Sequence, residues 1–399
     1  MKSNYEPIGK HIQLVDYRNS EEVTSTVLGI SIDKEFMPSV ANVIGTDLSR
    51  YKLISKGLFA CNPMHVGRDE RLPIALYEKD SPAIVSPAYF MFEIIDRDVL
   101  NEEYLMMWFR RPEFDRECWF MTDGSVRGGI TWDDLCRIKL PVPSYARQCE
   151  IVESYRAITD RIALKRAEND NLAKTIKAVF KSWFLDFDAF DGVELVQSQY
   201  GLIPNGWHYE LLGNLCDCVT KGTTPTTLGK DFTDTGINFI KGESINDDHS
   251  FNKTLFAHID DETDELLKRS RIYVNDIVFT IAGTLGKFAL VDSSVIPANT
   301  NQAVAIIRTS KIMPAMLYSY FIGEWQVEFY KRNTQQAVQA NLSLGTIKDL
   351  PILLPDSKGQ DHYMQLVTPL MVGMQNNFSE IERLYELQNQ LLARLSSSR

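Results

Sequence analysis

Short polar segments in the second half of the chain combine cations, hydroxyls and side-chain amides with glycine. One runs from residue 221 to 225, a second from 282 to 287 after an apolar run, and a third from 299 to 302. An amide can form two hydrogen bonds to adenine, Arg or Lys can bind guanine, and glycine lets the backbone approach closely. The candidate contacts to DNA bases or phosphates in this half are Lys221, Thr223, Thr224, Lys241, Thr284, Lys287, Asn299, Asn301, Gln302, Gln336, Gln339 and Asn341.

The first half of the chain carries a comparable set of polar side chains. The candidate DNA contacts here are Asn62, His65, Arg68, Arg71, Tyr89 and Arg127. For each single residue in either half, an ordinary place in a surface loop or turn is the alternative interpretation. The prediction of DNA contact therefore concerns the clusters and not any one side chain.

The sequence lacks the common signatures of catalysis and of nucleotide binding. The segment Gly283 to Lys287 misses the spacing of a Walker loop, and residues 62–65 match the methyltransferase motif Asn-Pro-Pro-aromatic only in part. The six cysteines are too sparse for a disulfide framework, and Cys216 and Cys218 are too close together for a zinc knuckle. We expect no catalytic centre, no cofactor and no metal ion in this chain.

The net charge of −11 counts against a nucleic-acid partner, because phosphate neutralisation normally needs a basic surface. DNA binding then requires basic residues concentrated on one face, or partner subunits that supply phosphate contacts. No apolar window reaches the roughly 18 residues that span a bilayer, and residues 1–7 lack the apolar core of a signal peptide. We expect a soluble, cytoplasmic protein with no membrane partner.

Internal similarity at a long period is the strongest organisational signal. Three pairs of segments match in the same order at an offset of about 210 residues: 5–9 with 209–213, 103–109 with 315–321, and 140–143 with 350–353. The third pair holds a Leu-Pro element that leads into a long helical segment each time. The repeat predicts a globular domain, a helix, a second globular domain and a second helix.

Both helical segments carry apolar residues that alternate in steps of three and four, which is a heptad seam. The residues predicted to pair are Ile151, Tyr155, Ile158, Ile162, Asn169, Leu172, Ile176, Val179 and Trp183 in the first helix, and Leu370, Met374, Asn377, Ile381, Leu384, Leu391 and Leu395 in the second. Lys165, Val367 and Gln388 also fall on the seams. Because each helix follows a domain in the same way, we expect antiparallel pairing, with the buried Asn residues fixing register.

Two details of the helices stay open on the sequence alone. Thr368-Pro369 either caps the second helix or kinks it. The first helix would be about 60 Å long. It is rich in Lys and Arg and forms either a solvated face or a surface for DNA or an acidic partner.

The fold class predicted is α+β, with two β-rich domains separated by two long antiparallel coiled-coil helices in a pseudo-twofold internal repeat. The boundaries are residues 1–144 for the first domain, 145–187 for the first helix, 188–355 for the second domain and 356–399 for the second helix.

Several segments together resemble one known family. In the second domain they are Lys221 to Pro225, Phe232, Gly236 to Glu243, Asn275 to Phe279, Ala282 to Lys287 and Asn299 to Ala303; in the first they are Ser31 to Asp33, Tyr51, Cys61 to Met64 and Val85 to Tyr89. They resemble the target-recognition domains of type I restriction–modification DNA specificity subunits, the first domain being of another subtype. The Leu-Pro-x-Pro junction followed by Gln148 and a long helix is similar to that family's junction.

The resemblance implies a function in DNA methylation and phage defence. Each target-recognition domain would read one half of a bipartite, asymmetric site in double-stranded DNA, and the helices would set the spacer and dock two modification subunits. Those subunits would use S-adenosylmethionine to methylate adenine, and two restriction subunits that use ATP and magnesium could join. The chain itself would hold no cofactor and no catalytic site.

Two other classes of function remain open at this stage. One is an enzyme, either a DNA methyltransferase or a nuclease with fused recognition domains. The other is a coiled-coil adaptor without a DNA role. Tight binding of S-adenosylmethionine by the isolated chain would favour the enzyme, and lack of any sequence preference on DNA would favour the adaptor.

Overall fold

The computed structural model describes residues 5–39, 45–64, 66–122, 128–190, 192–328 and 342–395. By its contacts the chain divides into two compact units. Unit 1 takes residues 1–162 with 382–399, and unit 2 takes residues 163–381. Each unit therefore contains one mixed α/β domain and a part of each of two long helices.

The helices range from single turns to rods of 40 and 38 residues. They are α1 Val66–Asp69, α2 Glu102–Phe109, α3 Pro112–Phe120, α4 Trp132–Arg137, α5 Tyr145–Phe184, α6 Leu212–Leu215, α7 Asp261–Leu266, α8 Pro314–Ile322, α9 Leu344–Lys348 and α10 Ser357–Arg394. Within the described residues, no helix combines the length and the apolar character that crossing a bilayer requires.

The strands are short and belong to several small sheets. Those of unit 1 are β1 Tyr5–Pro7, β2 Ile12–Leu14, β3 Val27–Ile30, β4 Phe36–Pro38, β5 Lys52–Ile54, β6 Phe59–Cys61, β7 Ile74–Leu76, β8 Ala83–Val85, β9 Phe90–Ile94 and β10 Lys139–Pro141. Those of unit 2 are β11 Leu195–Ser198, β12 Gly201–Pro204, β13 His208–Leu211, β14 Cys216–Lys221, β15 Ile237–Ile240, β16 Ala257–Ile259, β17 Ile277–Thr280, β18 Phe288–Leu290, β19 Ala298–Thr300, β20 Val304–Thr309 and β21 Pro351–Leu354.

The two units share one strand connectivity. Unit 1 has a sheet of order β2-β9-β6-β7, and unit 2 has a sheet of order β14-β20-β17-β18, with every neighbouring pair antiparallel in both. In a second sheet β3 pairs with β4 antiparallel and with β8 parallel, as β15 pairs with β16 and β19. The matching order makes β6 equivalent to β17, β9 to β20 and β3 to β15.

The internal repeat also extends to individual hydrogen bonds. Strand β1 pairs with β10, Tyr5 facing Pro141, and β13 pairs with β21, Tyr209 facing Leu353. The hydroxyl of Tyr104 donates to the Pro141 carbonyl at 3.0 Å, and the hydroxyl of Tyr320 donates to the Leu353 carbonyl. The sequence match aligns Tyr104 with Met316, so the structural equivalence in this helix lies one turn later.

The junction between each domain and its long helix is built in the same way. The Gln148 amide donates to the Pro143 carbonyl at 2.9 Å, and the Gln360 amide donates to the Pro355 carbonyl at 3.0 Å. Each Gln lies in the first turn of its helix and binds that turn to the short segment that follows the preceding strand. The direction in which each long helix leaves its domain is therefore set by a side-chain contact.

The second long helix begins before Thr368, the residue that one of the two sequence interpretations placed at its start. Helix α10 starts at Ser357, where the Asp356 carboxylate accepts a hydrogen bond from the Gly359 amide at 2.8 Å, and Pro369 lies inside the helix. An Asp that accepts from the third backbone amide of a helix is a favourable N-cap. The interpretation of Thr368 as the cap is therefore wrong.

Aromatic side chains fill the domain cores. In unit 1, Phe59 stacks on Phe92 with ring centroids 5.0 Å apart, and Phe109 packs edge-on against both. In unit 2, Phe184 of α5 contacts Tyr320 of α8 at 4.8 Å and Tyr363 of α10 at 4.9 Å. The long helices are thus part of the core of the domain that they accompany.

Candidate nucleic-acid interface

In unit 2 the ends of four strands meet at one edge of the domain. Lys221, the last residue of β14, faces Ala305 of β20, and Thr280, the last residue of β17, faces Val304. The Thr300 hydroxyl at the end of β19 donates to the Ile240 carbonyl at 2.7 Å, which brings the end of β15 to the same place. We call the loops that leave these four strand ends the unit 2 edge.

Two loops of the unit 2 edge are locked together by a glycine. The Gly222 amide donates to the Asn301 carbonyl at 3.1 Å, and the Thr224 amide donates to the Gln302 side chain at 3.2 Å. A Cβ on Gly222 would lie 1.7 Å from the Thr300 carbonyl oxygen, so only glycine fits. This close approach brings together the predicted contacts Lys221, Thr223, Thr224, Asn301 and Gln302, of which Lys221 and Gln302 are exposed.

The other predicted cations of unit 2 belong to the same edge. The Lys287 amide donates to the Thr280 hydroxyl at 2.9 Å, and its ammonium lies 2.9 Å from an Asp247 carboxylate oxygen. The Lys241 ammonium lies 4.9 Å from the centre of the Phe232 ring. Thr284 is exposed in the loop that joins β17 to β18. Both cations are therefore held in place by local contacts at the edge.

Among the predicted contacts of unit 2 that the structure describes, Asn299 is corrected. It is fully buried, donates to Asp264 at 3.0 Å and accepts from Ser270 at 2.7 Å. Its amide therefore satisfies groups inside the domain and is not available to a base. Asn299 lies within β19, whereas Asn301 and Gln302 follow the end of that strand, where Asn301 is half-buried and Gln302 is exposed.

In unit 1 the equivalent edge is formed by the loop that joins β6 to β7, residues 62–73, and by the residues before β9. Cys61 at the end of β6 faces Phe90 at the start of β9, so Asn62 and Tyr89 lie side by side at the same edge. The Asn62 side chain accepts from the Met64 amide at 3.2 Å. This loop is equivalent to residues 281–287 of unit 2. We call the loop together with Tyr89 the unit 1 edge.

The arginines of the unit 1 edge are exposed and paired with carboxylates. Arg68 lies 2.6 Å from Asp69, and Arg71 lies 3.2 Å from Asp33. The predicted contacts His65 and Arg127 of this half, and Gln336, Gln339 and Asn341 of the other half, lie outside the described residues. Asn62, Arg68 and Arg71 thus belong to one loop of unit 1, and Tyr89 adjoins that loop at Asn62.

A buried lysine that the sequence analysis missed supports the unit 1 edge. The Lys34 ammonium donates to Asp115 at 2.6 Å and to the Leu72 carbonyl at 2.8 Å, and Asp115 accepts from the Leu72 amide at 3.0 Å. Burial lowers the pKa of Lys34, and the charge of Asp115 opposes that shift. The ion pair therefore ties the loop of residues 62–73 to α3. No spacing in the sequence indicates this contact.

The residues predicted to pair the long helices lie on inner faces of those helices. In unit 1, Ile151 and Tyr155 of α5 share a buried cluster with Leu395, which directly follows α10, and Leu391 of α10 packs against it. Ile158 and Ile162 are buried as well, and Leu384 is half-buried. The sequence seam omitted Leu392, which is buried in the same cluster.

In unit 2 the same helices contact each other over a longer stretch. Ile176 and Trp183 of α5 share a cluster with Met374 of α10, while Leu172, Val179 and Leu370 pack against it and Ile381 is buried. Asn169 contacts Asn377, and Trp183 contacts Tyr363, so the two helices run antiparallel in this unit. Sequence spacing missed Phe180, Phe184, Tyr363 and Met371, because this face of the pair widens where it meets the domain.

The chemistry available at both edges is that of recognition. Ammonium, guanidinium, hydroxyl and amide groups lie at strand ends or in the loops that follow them, where they can reach base edges and phosphates. Among the residues that the structure describes, no three His, Cys, Asp or Glu side chains are grouped as metal ligands would be. Both edges are therefore candidate surfaces for duplex DNA.

Comparison with known proteins gives a consistent result. Residues 204–372 match the family described as "Type I restriction modification DNA specificity domain". The chain is 23% identical over 308 residues to the type I restriction enzyme MjaIX specificity subunit of Methanocaldococcus jannaschii, covering 76% of this chain and 70% of the relative. It is 23% identical over 332 residues to the HindI specificity subunit of Haemophilus influenzae, covering 67% and 70%.

A solved structure gives a similar fold. The type I restriction–modification system S subunit from M. genitalium aligns with a TM-score of 0.50 at 14% sequence identity, over 99% of this chain and 96% of that one. At this level of identity the likeness concerns the fold alone.

Proposed function

Because the chain belongs to the type I restriction–modification specificity subunits, we propose that it gives such a complex its DNA sequence preference. A specificity subunit recognises the site, and the enzymatic steps are carried out by partner subunits. The chain is therefore a DNA-recognition protein and not an enzyme. Fusion of recognition domains to a methyltransferase or nuclease, and an adaptor without a DNA role, are not favoured, because the similar proteins are named as specificity subunits.

The observation that carries the more detailed proposal is the equivalence of the two edges. Both units present loops from the same strand ends, but the side chains differ, with Arg68 and Arg71 in one and Lys221 and Lys287 in the other. Different groups at equivalent places read different bases. Each unit therefore reads one half of an asymmetric, bipartite site in double-stranded DNA.

The long helices have a separate role in this proposal. Their antiparallel contacts support a function in which they set the spacing between the two half-sites and dock two modification subunits. S-Adenosylmethionine, ATP and magnesium belong to the modification and restriction subunits of the assembled complex. These partners also explain how a chain with a net charge of −11 can bind DNA, since they supply part of the phosphate contact.

The test is to map methylated adenines in DNA exposed to the chain together with its modification subunit. Lys221→Ala combined with Thr224→Ala should change only one half of the methylated sequence, and Asn62→Ala combined with Arg68→Ala only the other. Lys56→Ala, at the opposite end of β6, is the control and should change neither. Absence of any sequence preference in the unchanged complex, or a loss of both halves from either variant, would overturn the proposal.

A further inference from the structure

Each edge holds an ion pair at the same place in the fold. In unit 1, Asp33 from the connection between β3 and β4 lies 3.2 Å from Arg71 in the connection between β6 and β7. In unit 2, Asp247 from the connection between β15 and β16 lies 2.9 Å from Lys287 in the connection between β17 and β18. The connections are equivalent, although their lengths and sequences differ.

In both pairs the carboxylate is the more exposed partner. The Asp33 side chain is 76% exposed and that of Arg71 is 51%, while Asp247 is 88% exposed and Lys287 is 21%. The carboxylate thus covers a cation that belongs to the candidate DNA surface. Water screens a carboxylate this exposed and weakens its hold on the cation, so a competing phosphate or base edge can displace it.

We propose that Asp33 and Asp247 are specificity-determining residues that suppress binding to non-cognate DNA. This inference rests on the proposed function of the two edges. While the carboxylate is paired with the cation, a phosphate of non-cognate DNA gains little binding free energy from that cation, because it must first displace the carboxylate. Cognate DNA supplies base contacts in addition, and these offset the cost of breaking the pair.

The placement of the pairs favours this role over simple stabilisation. Arg71 and Lys287 lie in equivalent connections, β6 to β7 in unit 1 and β17 to β18 in unit 2. Their acidic partners also come from equivalent connections, β3 to β4 in unit 1 and β15 to β16 in unit 2. The chain also pairs Lys56 with Asp80 at 2.7 Å, with the Asp side chain 89% exposed. Lys56 and Asp80 precede the first residues of β6 and β8, at the ends of these strands that lie away from the unit 1 edge. They therefore provide a matched ion pair outside the edge.

The experiment uses the chain in complex with its modification subunit and measures affinity for cognate and scrambled duplexes over a range of salt concentrations. Asp247→Asn and Asp33→Asn keep the side-chain shape and remove the charge. Each should raise affinity for the scrambled duplex roughly two- to fivefold and affinity for the cognate duplex less, and should steepen the salt dependence by up to about 0.9 in log–log slope. Asp80→Asn removes the same charge elsewhere and should do neither.

A second background tests the route by which the carboxylate acts. In a Lys287→Ala complex, Asp247→Asn should leave scrambled-duplex affinity unchanged, because no covered cation remains. An equal gain in both backgrounds, or a gain no larger than that of Asp80→Asn, would overturn the inference. Loss of sequence preference in the unchanged complex would instead refute the proposed function, so the two failures are distinguishable.

Discussion

The amide nitrogen of Asn377 in α10 donates to the side-chain oxygen of Asn169 in α5 at 2.8 Å, and both side chains are buried. The Lys165 ammonium donates to the same Asn377 side chain at 2.9 Å. In unit 2, buried apolar residues follow this polar group along α5 from Ile176, and along α10 Met374 precedes it and Ile381 follows it. A buried Asn pair is satisfied in only one alignment of two helices, so it fixes register at a cost in stability.

Replacing one member of the pair should therefore destabilise unit 2. Asn169→Leu leaves the Asn377 amide buried without its partner, which we expect to lower the free energy of unfolding by about 1–3 kcal/mol. The double replacement Asn169→Leu with Asn377→Leu should recover most of that loss, because both ends of the contact become apolar and Lys165 keeps its ion pairs with Glu168 and Glu380. Urea unfolding measures both effects, with Asn171→Leu, on the exposed face of α5, as the control.

The double variant should also lose register, and this separates the two roles of the pair. If the helices set the spacer, the double variant in complex with its modification subunit should methylate DNA with more than one half-site spacing. A spacer preference as narrow as that of the unchanged complex would show that the Asn pair does not determine register.

The sequence predicts the helix pair well and the edges only in part, for a physical reason. A heptad seam is local, so the positions of Asn169 and Leu172 relative to each other are visible in the spacing. The bond between Lys34 and Asp115 joins residues far apart in the chain, and nothing local indicates it. Asn299 and Asn301 are alike in sequence, yet one lies within a buried strand and the other follows its end.

The Lys34–Asp115 pair should be the most sensitive single contact of the unit 1 edge. Asp115→Asn leaves a buried ammonium without its counter-charge, and we expect a loss of about 3–5 kcal/mol in the free energy of unfolding of unit 1. The exposed pair of Lys56 and Asp80 provides the comparison, and Asp80→Asn should lower the free energy of unfolding far less, because solvent screens that pair. Chemical denaturation of both variants measures the difference; equal losses would contradict the assigned role.

Gly222→Ala should disable the unit 2 edge while leaving the unit 1 edge intact. The added Cβ would lie 1.7 Å from the Thr300 carbonyl oxygen, so the loop that carries Thr223 and Thr224 must move away. We expect the methylated sequence to lose one half-site and keep the other. Gly345→Ala is the control, because a Cβ there meets only the Ser343 hydroxyl at 3.4 Å. Normal recognition of both halves by Gly222→Ala would show that the close approach at Gly222 is not needed for recognition.

His249 should make the stability of unit 2 depend on pH. Its ring lies 4.0 Å from that of Phe288, and its Nδ1 is buried without a hydrogen-bond partner. Burial lowers the pKa of His249 below the ordinary value of 6.5, while the charge of Asp248, a backbone hydrogen bond with Phe288 and the charge of Asp247 oppose that shift. The folded state then binds fewer protons than the unfolded state just below pH 6.5. The stabilisation is complete above that pH and is lost as the pH falls toward the lowered value, by at most about 1.4 kcal/mol per pH unit. Urea unfolding at several pH values measures this loss of stability. His249→Phe should flatten the pH dependence, whereas the control His208→Asn, at an exposed strand position, should leave it unchanged. An unchanged slope in His249→Phe would assign the pH dependence to other groups.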